Sequence, residues 1–221
     1  MKNDSYKNVF VSRAVAKALL DIKAVGFVPD APIRFKSGIL SPVYLDNRRF
    51  PFYPKQWHTI IESFIKLIAE KNIEFDVIAG VEAAGIPHSA GLAFAMNKPS
   101  VFVRKQAKDH GTKKMVEGGD VAGKTVLLVE DHVSTGLSSL AAIESLREAG
   151  AKVEICFAIS EYGFTVAAEE FSKHKARLLS LVDFPTIVDV GIENGKIKPD
   201  QKQVMLDWMN DPKGWEQKYQ R

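Results

Sequence analysis

The chain is nearly free of cysteine. Cys156 is the only one in 221 residues, and it sits inside the mostly apolar run 153–159. That excludes an intrachain disulfide, argues against a Cys-based zinc site, and reads as a small core residue. No apolar run approaches the ~18 residues needed to span a bilayer. The first residues are polar, with no signal-peptide core, so a cytoplasmic protein is expected, with no membrane partner. Charge of either sign is not in large excess. The net charge of +3 does not by itself predict nucleic-acid binding, although lysines gathered at one place could attract a polyphosphate. Two common phosphate-binding signatures are missing as well. There is no G-x-x-x-x-G-K-[ST], and no G-x-G-x-x-G follows a strand. Internal repeats and long linkers are also lacking.

What is present centres on residues 125–139, TVLLVEDHVSTGLSS. The run 126–129 is short, wholly apolar and rich in valine, as a strand buried on both faces reads. It ends in two acids, Glu130 and Asp131. Small and hydroxylated residues follow, and then a helical pattern: Leu140, Ile143 and Leu146 recur at three-residue spacing up to Gly150. A tight loop opening a helix aims backbone N–H groups and the positive helix end at one point, which suits a phosphate. The carboxylates suit vicinal hydroxyls. Acids for hydroxyls beside a loop for a phosphate fit a ribose 5-phosphate. The structural alternative is an ordinary strand-to-helix connection whose acids cap the helix.

The rest of the chain supplies a frame. Residues 9–23 and 55–71 read as amphipathic helices, the first ending at Gly26. Residues 76–81 form a short strand, running through Glu82-Ala-Ala-Gly85 into a helix opened by Pro87. Strands follow at 100–103, 153–159 and 178–182, with a helix at 164–174. Residues 34–46 are extended, and 201–209 are helical. Trp208 and Trp215 are expected to pack on the body. Arg48 and Arg49 read as a surface pair. Alternation from 76 to 182 argues for an α/β fold with a mostly parallel central sheet flanked by helices. Its ligands bind at the carboxyl ends of the strands. The expected organisation is an N-terminal helix and small hood over 1–50, a core over 51–195, and a helical tail over 196–221. Residues 105–120 lack apolar periodicity and hold four lysines, one histidine and three glycines. A loop this long reads as a lid, or as a solvated basic hairpin.

The strand, acidic pair and Ser134-Thr135-Gly136 turn resemble the phosphoribosyl diphosphate (PRPP) motif of the type I phosphoribosyltransferases. The segment Arg104-Lys-Gln-Ala-Lys-Asp-His-Gly111 closely resembles the mobile catalytic loop of the orotate phosphoribosyltransferases, and Phe35-Lys-Ser-Gly38 with Ser41-Pro42 resembles their N-terminal substrate segment. The resemblance runs from about residue 10 to about 185. It implies Mg²⁺-dependent transfer of phosphoribosyl from PRPP to orotate, giving orotidine 5′-monophosphate and pyrophosphate in de novo pyrimidine synthesis. The metal is then bound mainly through PRPP, with no protein ligand set. By position, Glu130 and Asp131 would hold the ribose hydroxyls. His132, Val133, Ser134, Thr135, Gly136, Leu137 and Ser138 would bind the 5-phosphate. Lys36, Tyr44 and Leu45 would line the base side. Arg104, Lys105, Lys108 and His110 would meet the pyrophosphate. The resemblance implies that Lys105, Lys108, His110 and Asp131 carry the catalytic roles. The family's lid closes over the neighbouring subunit's site, which implies a homodimer. Two places depart from the family pattern: Ala83 and Ala84 stand where some members have Tyr-Lys, and 160–164 lacks an orotate-binding Arg. Backbone amides or Arg34 are the substitutes. A phosphoribosyltransferase for another nucleobase and a non-catalytic PRPP-binding regulator stay open as alternatives.

Overall fold

A computed structural model describes residues 8–35, 38–106 and 114–219. Helix α1 (Val9–Asp21) is capped by Asn8, whose side chain accepts from the Val11 N–H. Short strands β1 (Val25–Phe27), β2 (Ile33–Arg34), β3 (Leu40–Ser41) and β4 (Val43–Leu45) follow, then a 3₁₀ turn, Asn47–Phe52. Helix α2 (Pro54–Glu70) starts on a proline, whose missing N–H costs nothing at a helix start. The core runs β5 (Val77–Val81), α3 (Gly85–Met96), β6 (Ser100–Val103), β7 (Val116–Glu117), β8 (Thr125–Val133), α4 (Leu137–Glu148), β9 (Lys152–Glu161), α5 (Thr165–Lys173) and β10 (Arg177–Asp183). Helices α6 (Phe184–Glu193), α7 (Gln201–Asn210) and α8 (Pro212–Tyr219) complete it.

The central sheet has six strands in the order β10-β9-β8-β5-β6-β7. All pairs are parallel except β6–β7. The chain builds outward from β5 through β6, then returns to β8 on the other side and continues outward. The order therefore reverses between β5 and β8. There the connecting segments diverge to opposite faces, and a crevice opens at the carboxyl ends. Alternation along the strands feeds two cores. Ile78, Leu127, Val129, Phe157 and Leu179 join the core with α1, α2, α3 and α6, while Val77, Val126, Leu128, Ala158 and Leu178 join α4 and α5. Among the described residues no helix is long and apolar enough to cross a membrane.

The first helix stops at Asp21 rather than at Gly26. Gly26 instead sits in β1, opposite Tyr44 of β4. A side chain there would collide with the Tyr44 ring, so glycine is needed for packing and not for a helix stop. The small strands β1–β4 and β2–β3 form two antiparallel pairs above the sheet. The tail closes this hood from behind: Trp208 is fully buried, and its Nε1–H donates to the Leu40 carbonyl at 2.8 Å. A helix follows β10, where the sequence shows only Asp183-Phe-Pro. Asp183 caps it by accepting from Thr186 N–H at 2.9 Å, with proline in the first turn.

Candidate active site

Strand β8 runs four residues beyond the apolar stretch that announces it. Glu130, Asp131, His132 and Val133 are in the sheet, with Glu130 beside Ala158 and His132 beside Ser160 of β9. The acids therefore stand on a rigid strand end, not in the loop. Glu130 is buried; its Oε1 accepts from Asp131 N–H at 3.1 Å and its Oε2 from Ser138 Oγ at 3.2 Å. Burial, then the charge of Asp131, pushes the Glu130 carboxyl well above the usual carboxylate range. Asp131 is also raised by burial, against a hydrogen bond from Glu130 and the nearby Arg48 guanidinium, which lower it. The two carboxyls therefore titrate as a pair, with burial favouring the protonated form of each.

The Asp131 backbone is fixed from the hood. Asn47, fully buried, donates through Nδ2 to the Asp131 carbonyl at 2.6 Å and to Ser160 Oγ at 2.9 Å. Ser160 Oγ also contacts His132 Nδ1 at 2.9 Å. His132 packs edge-on against Tyr162, with ring centroids 4.4 Å apart. Burial lowers its pKa to about 3, so its imidazole is neutral at pH 7. Asn47 and Ser160 carry no sequence signal of their own. A buried asparagine in an Asp-Asn-Arg run is visible only once the hood is folded onto β8.

Beyond Val133, residues 134–138 turn into α4. Gly136 has φ +86° and precedes the helix, and a Cβ there would lie 2.9 Å from Phe171 Cε2. On the far side of the crevice, α3 begins against β8. A Cβ on Gly85 would stand 2.5 Å from the Val129 carbonyl oxygen, so the turn 82–85 is pressed against the strand carrying the acids. Glu82 Oε2 accepts from the Lys105 N–H at 2.8 Å. The basic segment after β6 does not leave the fold as one long loop. β7 returns antiparallel to β6, with Arg104 N–H donating to Met115 O at 2.9 Å. The Arg104 side chain turns back to Glu117 at 3.7 Å and to the Gln106 carbonyl at 3.1 Å.

These parts surround two adjoining clefts. The first, about 470 Å³, is lined by Arg104, Lys105 and every residue from His132 to Ser138. The second, about 410 Å³, lies under the hood and is lined by Phe35, Tyr44, Leu45, Arg48, Tyr162 and others. His132 and Ser134 belong to both. Most of the residues singled out in the sequence therefore converge. Val133 does so through its backbone alone: its side chain is buried in the core, and its carbonyl accepts from Tyr162 N–H at 3.2 Å. Glu130 and Asp131 flank the clefts from the strand end. Lys36, Lys108 and His110 lie outside the described residues. Sequence reasoning missed the wall of the second cleft. Tyr162, 1 % exposed, stacks on Phe35 at 5.7 Å and meets Trp208 edge-on at 5.0 Å. The signal available was the run of aromatics at 162 and 164.

The phosphoribosyl transferase domain family matches residues 55–189. The chain is 42 % identical over 202 residues to the orotate phosphoribosyltransferase of Coxiella burnetii, covering 91 % of this chain and 97 % of that one. Among solved structures, Leishmania donovani UMP synthase superposes with a TM-score of 0.80 at 28 % identity, over 90 % of this chain but only 42 % of that one. The orotate phosphoribosyltransferase of Aeropyrum pernix superposes at 0.71 and 30 % identity, over 79 % of this chain and 96 % of that one. A crevice at the sheet's switch point, a hydroxyl-rich turn beside an acidic pair and a relative this similar over nearly its whole length lead to one statement: the chain belongs to the orotate phosphoribosyltransferases.

Proposed function

We propose that the protein transfers the 5-phosphoribosyl group of PRPP to orotate, releasing pyrophosphate and forming orotidine 5′-monophosphate for pyrimidine synthesis. One observation carries this reading: two clefts, one cationic and hydroxyl-lined, one aromatic, share His132 and Ser134 as their common wall. A substrate with a sugar phosphate at one end and a planar base at the other needs that layout.

In this reading the turn 134–138 receives the 5-phosphate through backbone N–H groups, the hydroxyls of Ser134, Thr135 and Ser138, and the N-terminal end of α4. Asp131, with Glu130 behind it, accepts hydrogen bonds from the ribose hydroxyls. Arg104 and Lys105 stand across the cleft where the pyrophosphate would lie. Lys108 and His110 join them when the segment between β6 and β7 covers the site. Breaking the C1–oxygen bond leaves an oxocarbenium-like ribose and a leaving group that gains negative charge. Cations placed for that developing charge lower the barrier more than they tighten ground-state binding. A covering lid keeps water from the sugar cation. Orotate attacks as an anion and needs no strong base. The aromatic floor of Phe35, Tyr44 and Tyr162 suits its flat ring.

Among the described residues no three His, Cys, Asp or Glu side chains cluster closely enough to hold a metal. Asp131 is the carboxylate that would stand beside a Mg²⁺ ion brought in with PRPP, and such an ion would supply Lewis-acid stabilisation of the leaving group. The functional unit we infer is a homodimer in which each lid serves the partner's site, and exposed Phe52 and Phe94 give it apolar surface to cover. The single buried Cys156 suits a cytoplasmic setting.

The test is an assay of PRPP consumption with orotate, hypoxanthine and uracil, with and without Mg²⁺. Turnover with orotate that needs the metal is expected. Turnover with a purine alone would overturn the reading. Tight, salt-sensitive DNA binding without turnover would favour a regulator.

A further inference from the structure

Resting on that function, one question stays open in the site: which cation meets the carboxylate of orotate. The end of β9 offers none. Ser160 is turned to Asn47 and His132, and Glu161 is a buried acid accepting from Ser180 Oγ at 2.7 Å. Arg34 is engaged elsewhere. It donates to the Gly38 carbonyl at 2.7 Å and pairs with Glu216 at 2.8 Å, and it does not line the base-side cleft.

Arg48 does line that cleft, and among the described residues no other arginine or lysine does. It shares that cleft with Tyr162 and lies on the segment that also supplies Tyr44 and Leu45. Its Nε–H donates to Asp46 Oδ1 at 2.6 Å. That bond fixes the guanidinium plane by its inner edge and leaves both Nη groups free along the outer one. The side chain is otherwise 70 % exposed, so it is not consumed in holding the fold together. Asp46 lines the cleft, and Asp131 immediately precedes His132 of its wall. A base bearing its own carboxylate entering there meets a negative field and needs a cation on the remaining wall.

We propose that Arg48 is the specificity-determining cation of the base-side cleft, receiving the carboxylate of an orotate-type base on its two Nη groups while Asp46 holds Nε. The planar fork matches a carboxylate in two parallel hydrogen bonds, which an ammonium group cannot reproduce. Because Arg48 is solvated when the cleft is open, a base without the carboxylate neither gains from it nor leaves it buried and unpaired. Selectivity comes from attraction of the acid.

Steady-state kinetics on the parent, Arg48→Ala and Arg48→Lys test this, with the methyl ester of orotate as a competitive ligand carrying the same ring without the charge. Arg48→Ala should raise KM for orotate by about 10- to 100-fold, the range for losing a charge-assisted hydrogen-bonding partner. KM for PRPP should change less than KM for orotate, through the loss of the Arg48 charge near Asp131, and the inhibition constant of the ester should stay within about twofold. Arg48→Lys should recover part of the loss. An unchanged KM for orotate, or a rise in KM for PRPP instead, overturns the assignment while leaving the function standing. A parent enzyme that turns over no orotate removes the function and this assignment together.

Discussion

Replacing Gly136 by alanine tests the geometry of the proposed phosphate turn from the inside. The residue has φ +86° and stands immediately before α4, and its missing Cβ faces the ring of Phe171 at 2.9 Å and 3.4 Å. Holding an L-residue in the left-handed region costs roughly 1–2 kcal/mol. A Cβ closer than 3 Å must also displace something. Phe171 is 2 % exposed within the second core, and forced repacking of such a ring costs about 1–3 kcal/mol. Together the loss is about 3 kcal/mol, which for a chain of this size lowers Tm by roughly 6–12 °C. Gly163→Ala is the internal control. That residue has φ +79° and nothing within 4 Å of its would-be Cβ, so only the backbone cost of about 1–2 kcal/mol applies. Urea unfolding of both variants separates the two contributions, and Phe171→Leu in the Gly136→Ala background should return part of the contact cost. Because the displaced backbone is the proposed 5-phosphate cradle, Gly136→Ala should also raise KM for PRPP about tenfold or more, while Gly163→Ala leaves it unchanged. Equal stability losses at the two glycines would refute the Phe171 argument. A normal KM for PRPP in Gly136→Ala would refute the placement of the phosphate.

Asp131→Asn removes the charge that would accept from the ribose hydroxyls, and KM for PRPP should rise about tenfold or more; unchanged affinity and turnover would assign Asp131 to a structural role. Lys108→Ala should cut kcat by ~10²-fold, the scale for removing one electrostatic donor, and single-turnover rates near the parent's would end its role on the leaving group. The buried His88 gives a pH test. Its Nδ1 accepts from Trp57 Nε1–H at 3.1 Å, and burial lowers its pKa from 6.5 to about 4. With the folded pKa depressed, the stability it contributes is complete above pH 6.5 and is lost as the pH falls toward about 4. The loss is about 3 kcal/mol at most. Urea midpoints should fall across that window, and His88→Asn should make the fall shallower. A variant with the parent's slope would show that His88 is not the titrating group.

Much of this molecule is written in local pattern. Buried parallel strands read as short apolar runs because both faces are covered, and the helices between them read at their own period. The strand–acid–glycine order of 125–139 reads as the proposed phosphate turn because that chemistry needs those groups in consecutive positions. The run of lysines at 105–114 reads as a segment outside the core for the same reason, since lysines without apolar periodicity have no core to join. Legibility failed where the partner is far along the chain. Gly26 looks like a helix stop until Tyr44, eighteen residues on, is found pressed against it. The strand reads as ending at the acids until β9 pairs alongside and extends β8 through Val133.

The base-side cleft is the clearest division between the two kinds of information. Arg48 reads as a surface charge and stays exposed, but nothing in the sequence joins it to Phe35 and Tyr162 in one cleft. Only folding the hood and the tail onto the end of β9 brings them around one space. Residues adjacent in sequence share a site when a strand end or turn presents them together, and that much is local. Residues separated by more than a hundred positions share one only after burial of apolar surface has fixed which elements touch, and that free energy belongs to the whole chain.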